Sequence, residues 1–166
     1  MSKYLITGRQ GTGKTSVIRE LQRRGYTAYN TDEIAGVTRL EETATGKPLA
    51  LKHNEVNWDL ASWNWQKEPL EALLNSDEDV YIGAVTSNQA NYYSQFDQIF
   101  ALIVPPETLA RYLTSHEHGY DNTAIERILA HQHRQQKFLD AGALAISNDR
   151  SVSDTVDEIL SYVANS

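Results

Sequence analysis

The sequence predicts an α/β fold in which a mostly parallel sheet of five strands lies between two layers of helices. Short apolar runs, typical of strands covered on both faces, alternate along the chain with amphipathic helical patterns. The length of 166 residues is typical of one domain, and neither a repeat nor a linker interrupts the alternation. We therefore expect residues 1–166 to form a single domain.

The composition narrows the classes of function. The formal net charge of −7 at pH 7 disfavours extended binding to nucleic acid, which usually needs a basic face. The chain contains no cysteine, which excludes disulfides and thiolate metal sites. No apolar run approaches the roughly 18 residues of a membrane span. We expect a cytoplasmic protein without nucleic-acid or membrane partners; the sequence does not indicate its oligomeric state.

Each predicted strand is a short run of mostly apolar residues, and the second run has a polar end. Ligands of parallel α/β sheets bind beyond the carboxyl ends of the strands, where Thr7, Asp32, Thr86 and Asn148 are expected. The predicted strands are residues 4–8, 26–33, 80–85, 99–104 and 143–147.

Helical patterns fill the intervals between these strands, and glycine follows where two of them end, at Gly25 and Gly142. Trp58, Ala61 and Trp65 would share one face of the second helix, either as a core stripe or as an aromatic wall around a ligand. The predicted helices are residues 14–24, 54–75 with a break near Pro69, 106–114, 122–141 and 153–164.

Residues 8–16, GRQGTGKTS, directly follow the first strand and lead into the first helix. They match the pattern G-x-x-x-x-G-K-[ST], whose glycines let successive backbone N–H groups point at a phosphate. In this pattern the lysine reaches the β- and γ-phosphates and the hydroxyl ligates magnesium. The alternative is a glycine-rich turn with a capping lysine. The predicted nucleotide-binding residues of the loop are Gly8, Gly11, Thr12, Gly13, Lys14, Thr15 and Ser16.

With this loop, the chain resembles the small P-loop kinases of the shikimate, gluconate and nucleoside-monophosphate (adenylate) kinase group, in the P-loop NTPase superfamily. The likeness covers nearly the whole length and includes GAVTSN after the third strand, FDQIFALIVPPETLARYL, and SNDR after the last strand. The resemblance implies a three-layer α/β/α fold, ATP and Mg²⁺, and phosphoryl transfer to a small-molecule acceptor. Nucleosides, nucleotides, sugars and small acids all remain candidate acceptors.

The resemblance also implies the acceptor side of the site. It places a carboxylate at Asp32, which with Lys14 forms the predicted catalytic pair and with Thr15 the predicted magnesium site. The alternative is that Asp32 only caps the following turn. The polar segment over residues 34–75 is the predicted acceptor-side flap. The predicted acceptor contacts are Asp32, Glu33, Arg39 and Asn88, and Lys52 is a further candidate for an anionic acceptor.

Three residues outside the loop are implied contacts of the nucleotide: Arg111, Asn148 and Arg150. The expected lid, residues 113–123, carries no arginine, whereas the lids of the resembling kinases often carry two or more. Arg127 and Arg134, which could share a helix face, are the candidates to replace them.

Two functions therefore remain open. The first is an ATP-dependent kinase, favoured by the acidic residues after the second strand and by the acceptor-sized insertion before the third. The alternative is a nucleotide-binding regulatory protein or a weak ATPase without a small-molecule acceptor, favoured by the arginine-poor lid. The sequence identifies neither the acceptor nor the preference for ATP over other nucleoside triphosphates.

Overall fold

The protein is described by a computed structural model for residues 1–9, 11–105, 107–108 and 122–165. The strands in this part are β1 (Lys3–Thr7), β2 (Thr27–Asn30), β3 (Thr38–Glu42), β4 (Ala61–Trp65), β5 (Val80–Gly83), β6 (Gln98–Ile103) and β7 (Leu144–Ser147). The α-helices are α1 (Lys14–Arg23), α2 (Lys67–Leu74), α3 (Asn122–Asp140) and α4 (Val152–Ala164).

The centre of the fold is a parallel sheet of five strands in the order β2-β5-β1-β6-β7, which confirms the predicted fold class. One face of the sheet packs against α1 and α4 through buried residues that include Ile18 and Ile159. The other face packs against α2 and β4 through residues that include Leu70 and Trp65. None of the helices in the described ranges combines the length and hydropathy needed to cross a lipid bilayer.

The strand predictions are confirmed with small shifts at their ends, and the second strand is shorter than predicted. It ends at Asn30, so that Asp32 lies in a 3-10 turn, Thr31–Glu33, beyond the carboxyl end of the strand. The helices that begin at Lys14, Asn122 and Val152 also confirm their predictions. The helix over 106–114, the lid over 113–123 and Arg111 lie outside the described residues, except for residues 107–108 and 122–123.

The helix predicted over residues 54–75 is wrong in its first half. Strand β4 occupies residues 61–65 and pairs antiparallel with β3, while only Lys67–Leu74 is α-helical. Pro69 lies in the first turn of that helix, where its missing N–H has no intrahelical partner to lose. Backbone pairing with a distant strand therefore overrides the helical spacing of the tryptophans.

Candidate active site

A cleft of about 1140 Å³ opens beyond the carboxyl ends of β1, β2 and β5. Its described walls are the loop after β1, the turn after β2, the loop after β5, the β3–β4 hairpin and Arg134 on α3. The sheet thus brings Lys14, Thr15 and Asp32 to one cleft, as expected for parallel strands whose ends meet at one edge.

The loop after β1 has a backbone that only glycine fits at two positions. Gly13, the N-cap of α1, has φ 97°, and a Cβ there would collide with Nδ2 of Asn148. A Cβ on Gly8 would lie 2.6 Å from Oγ1 of Thr12. Because the loop runs directly into the N-terminus of α1, its amides and the helix dipole together favour an anion.

Lys14 lies folded across this loop. Its Nζ donates hydrogen bonds to the carbonyl oxygens of Gly8 at 2.7 Å and Arg9 at 3.0 Å. Burial lowers the pKa of Lys14 from its ordinary value to about 8; the carboxylate of Asp32 opposes this shift, and the charge of Arg9 adds to it. A bound phosphate would stabilise the ammonium and reverse the effect of burial.

Arg9 and Arg134 add two more cations to the same end of the cleft. Burial and then the nearby charge of Arg134 lower the pKa of Arg9. The Nε of Arg9 is buried and has no hydrogen-bond partner among the described residues. Mutual repulsion and an unpaired buried donor both cost free energy, which a polyanion such as a triphosphate would offset. The side chain of Arg127 is not in the described part of the structure.

The residues predicted to hold magnesium also face this cleft. Nδ2 of Asn30 donates to Oγ1 of Thr15 at 3.0 Å, and Oδ1 of Asn30 accepts from the amide of Asp32 at 3.2 Å. Asn30 therefore links the two candidate ligands, a role that the sequence analysis missed. A hydroxyl and a carboxylate fit Mg²⁺, which takes oxygen ligands and usually only one or two from the protein.

Asp32 is oriented from the other side by the hairpin. The indole Nε1 of Trp63 donates to Oδ1 of Asp32 at 2.8 Å, and Oδ2 has no hydrogen-bond partner within the described part of the chain. The amide of Ser87 donates to the carbonyl oxygen of Trp63 at 2.7 Å, which fixes β4 to the loop after β5. The free oxygen of Asp32 is thus held in a defined place.

No protein-family model and no curated protein matches the sequence. Solved structures are similar over nearly the whole chain. A shikimate kinase from Bacteroides thetaiotaomicron has a TM-score of 0.61 and 13% identity, with 98% of each chain covered. A gluconokinase from Sinorhizobium meliloti has a TM-score of 0.52 and 16% identity, with 99% of this chain and 92% of that chain covered.

A shikimate kinase from Aquifex aeolicus has a TM-score of 0.57 and 13% identity, with 98% of this chain and 96% of that chain covered. The chain has the fold of the small P-loop kinases. The resemblance inferred from residues 8–16 is thereby confirmed at the level of the fold. At these identities the likeness does not extend to the acceptor, because one fold hosts many functions.

Within this P-loop kinase fold, several predicted acceptor contacts lie away from the cleft lining. Glu33 is ion-paired with Arg19 at 3.3 Å. Arg39 is ion-paired with Glu41 at 2.5 Å and lies next to Leu40, whose side chain lines the cleft. Because neighbouring residues of a strand point to opposite faces, Arg39 faces away from the cleft.

Two hydrogen bonds to the main chain of Trp65 explain the position of Asn88. Its amide group accepts from the backbone N–H of Trp65 at 2.9 Å and donates to the carbonyl oxygen of the same residue at 3.0 Å. A second amide, that of Gln89, was not singled out from the sequence. It is buried and donates to Oγ1 of Thr7 at 3.0 Å while accepting from the amide of Thr86 at 2.8 Å. These two side chains fix the loop after β5 between β1 and β4.

The residues predicted on the nucleotide side beyond the loop also have partners. Nδ2 of Asn148 donates to the carbonyl oxygen of Thr12 at 2.5 Å, and its Oδ1 accepts from Oγ1 of Thr155 at 2.6 Å. Asn148 therefore braces the phosphate loop against α4. Arg150 donates to the carbonyl oxygen of Ser147 at 3.1 Å and pairs with Glu158 at 3.2 Å.

Proposed function

We propose that the protein is a kinase that transfers the γ-phosphoryl group of Mg-ATP to a hydroxyl of a small-molecule acceptor, releasing ADP. The observation that carries the proposal is that one cleft combines two kinds of lining. Residues of the phosphate loop line it together with the cations Arg9, Lys14 and Arg134, and Asp32 lines it together with residues of the hairpin and its connection. An ATPase without an acceptor needs only the first kind.

The phosphate side supports ATP as the donor. The backbone of the glycine-rich loop and the N-terminus of α1 would bind phosphate oxygens, and Lys14 would reach the β- and γ-phosphates. The Nε of Arg9, which has no hydrogen-bond partner in the described ranges, supplies a further donor. Thr15 and Asp32 would hold Mg²⁺, which would neutralise the charge that develops on the phosphates during transfer.

The position of Asp32 supports a direct role of its carboxylate in phosphoryl transfer. Its Oδ2 would accept the hydrogen bond of the acceptor hydroxyl and point that oxygen at the γ-phosphorus. As the new oxygen–phosphorus bond forms, the bond from the γ-phosphorus to the leaving oxygen of ADP breaks. The hydroxyl proton passes late to the carboxylate of Asp32 and then to solvent. The products are ADP and a phosphate ester.

The test is ADP release from Mg-ATP across sugars, nucleosides, nucleotides and small acids, with a reaction that contains no acceptor. We expect at least one acceptor to stimulate ADP release. Lys14→Ala should weaken ATP binding at least about tenfold, because alanine cannot replace a charge that binds phosphate. Lys67→Ala, at an exposed position outside the cleft lining, is the matched control. Turnover that no acceptor stimulates would favour the regulatory or ATPase alternative.

A further inference from the structure

The part of the cleft beyond Asp32 is predominantly apolar. Leu40 on β3 lies opposite Trp63 on β4, so that both side chains belong to the same face of the hairpin. The polar groups nearby are already engaged: Oγ1 of Thr86 donates to Asn88 at 3.2 Å, and Oγ of Ser87 accepts from the amide of Trp63 at 3.2 Å. The described apolar lining includes Leu40, Leu51, Val56, Trp58, Trp63 and Val85.

The charges of the cleft are segregated. Its described cations, Arg9, Lys14 and Arg134, belong to the phosphate side. Nζ of Lys14 binds the carbonyl oxygens of Gly8 and Arg9 in the phosphate loop, and the charge of nearby Arg134 adds to burial in lowering the pKa of Arg9. On the acceptor side the charged group of the described lining is Asp32. A carboxylate or phosphate on the acceptor would therefore meet a like charge, which costs free energy at short range. Lys14, the described cation that interacts with Asp32, is bound to carbonyl oxygens of the phosphate loop.

The tryptophans supply flat apolar surfaces. Trp58 is 48% exposed and lines the cleft together with Trp63. An indole face packs well against another ring, either the π-face of a base or the C–H face of a cyclic sugar. Small-molecule sites commonly combine such apolar walls with a few polar groups that fix orientation. Here Asp32 is the polar group that would select a hydroxyl.

We propose that the acceptor is an uncharged ring compound that carries a hydroxyl, a nucleoside or an unphosphorylated cyclic sugar, packed between the tryptophans with its hydroxyl on Asp32. This inference rests on the proposed kinase function. The chemistry shared by the two sources is a neutral ring with one apolar face and a free hydroxyl. The phosphoryl group passes from ATP to that hydroxyl, and the proton passes to Asp32.

Pairs of compounds that differ in charge test whether the site prefers an uncharged acceptor. One pair is adenosine and its 3′-monophosphate, and the other is glucose and glucose 1-phosphate, so that the anionic member of each pair keeps the primary hydroxyl; kcat/KM is measured by ADP release at saturating Mg-ATP. We expect the uncharged member of one pair to have a kcat/KM at least about tenfold higher than its anionic partner, and the active pair identifies the source. A higher kcat/KM for the anionic member overturns the inference, as does activity restricted to other classes of the panel. If no compound stimulates ADP release, the proposed function itself fails, and the inference fails with it.

A variant that adds a positive charge to the cleft tests where the acceptor binds. Leu51 is 44% exposed and lines the cleft, whereas Leu60 is 64% exposed and does not line it. Leu51→Arg should shift the ratio of kcat/KM values toward the anionic member at least about tenfold, because it supplies the missing cation. Leu60→Arg should keep the wild-type ratio. Equal ratios in both folded variants, with folding checked by circular dichroism, would contradict the placement of the acceptor beside Leu51.

Discussion

The indole N–H of Trp63 donates a hydrogen bond of 2.8 Å to Oδ1 of Asp32, although the two residues belong to different parts of the fold. Trp63 lies on the β3–β4 hairpin, and Asp32 follows a strand of the central sheet. Trp65, on the same face of β4, makes a parallel contact from its Nε1 to Oγ1 of Thr31 at 2.9 Å. The hairpin therefore holds two successive residues of the turn that carries the candidate catalytic carboxylate.

We expect Trp63→Phe to lower kcat about tenfold while the affinity for Mg-ATP stays within a few-fold. Phenylalanine keeps an aromatic wall but removes the donor to Asp32, and a hydrogen bond to a charged group contributes about 1.5–3 kcal/mol. Trp65→Phe is the matched control: it removes a buried donor from Thr31 and should lower the free energy of unfolding by about 1–3 kcal/mol without a comparable loss of kcat. Steady-state kinetics and urea denaturation measure the two effects. Unchanged kcat in Trp63→Phe would show that Asp32 is positioned without this bond.

Asp32→Asn should reduce phosphoryl transfer by about 10²-fold or more, with binding of Mg-ATP preserved within a few-fold. Asparagine keeps the shape but neither attracts the hydroxyl proton nor accepts it. Single-turnover transfer to the identified acceptor and a separate nucleotide titration distinguish the two steps. Asp59→Asn, exposed and outside the cleft lining, should behave as wild type. Near-normal transfer by Asp32→Asn would leave Asp32 as a cap of its turn.

Binding of Mg-ATP at pH 8.5 should take up a fraction of a proton at Lys14. In the ligand-free protein the pKa of Lys14 is about 8, chiefly because of burial, so part of the population is uncharged at this pH. Phosphate favours the ammonium and raises the pKa, so affinity should fall as pH rises through about 8. Calorimetry in two buffers of different ionisation enthalpy measures the uptake, which Lys14→Met should abolish. Identical heats in both buffers for the wild type would contradict this account.

The lowered pKa of Lys14 also determines how this residue's contribution to folding stability changes with pH. An unfolded lysine keeps its ordinary pKa of about 10.4. Between pH 8 and that value the unfolded chain binds more protons than the folded one, so the contribution of Lys14 to folding stability increases with pH across this window.

Arg9→Leu should weaken Mg-ATP binding about tenfold and leave the Tm of the ligand-free protein unchanged or higher. The native guanidinium is partly buried beside Arg134, and its Nε has no partner among the described residues, so its removal relieves repulsion in the absence of ligand. Thermal denaturation with and without Mg-ATP measures both effects. Arg19→Leu removes an exposed cation outside the cleft lining and is the control for net charge. A lower ligand-free Tm with unchanged nucleotide affinity would assign Arg9 a structural role instead.

The arrangement of the loop after β1 was predictable because its residues are close together in the sequence. The glycines, Lys14 and Thr15 are close in sequence, and a strand before them and a helix after them suffice to predict their arrangement. The contact of Asn30 with Thr15 was not predictable in this way, because it depends on how β2 lies beside α1.

The acceptor side of the cleft depends on pairing between β3 and β4, and there the helix predicted over residues 54–75 is wrong in its first half. Trp58, Ala61 and Trp65 fit a helical face, but Trp63 and Trp65 also alternate with polar residues, as a strand requires. The choice between the two periods was decided by Thr38–Glu42, whose pairing with Ala61–Trp65 is not visible in either segment alone. The same pairing turns Arg39 away from the cleft, which no composition argument could anticipate.

The connection between the two hairpin strands, residues 43–60, contributes Leu51, Val56 and Trp58 to the cleft. Strand β4 is held independently of that connection, because Ser87 and Asn88 bind the main chain of Trp63 and Trp65. Insertions, deletions or substitutions in residues 43–60 can therefore reshape the entrance without displacing Trp63 from Asp32. Under the proposed function, changes in this connection would alter the choice of acceptor while the position of Asp32 stays the same.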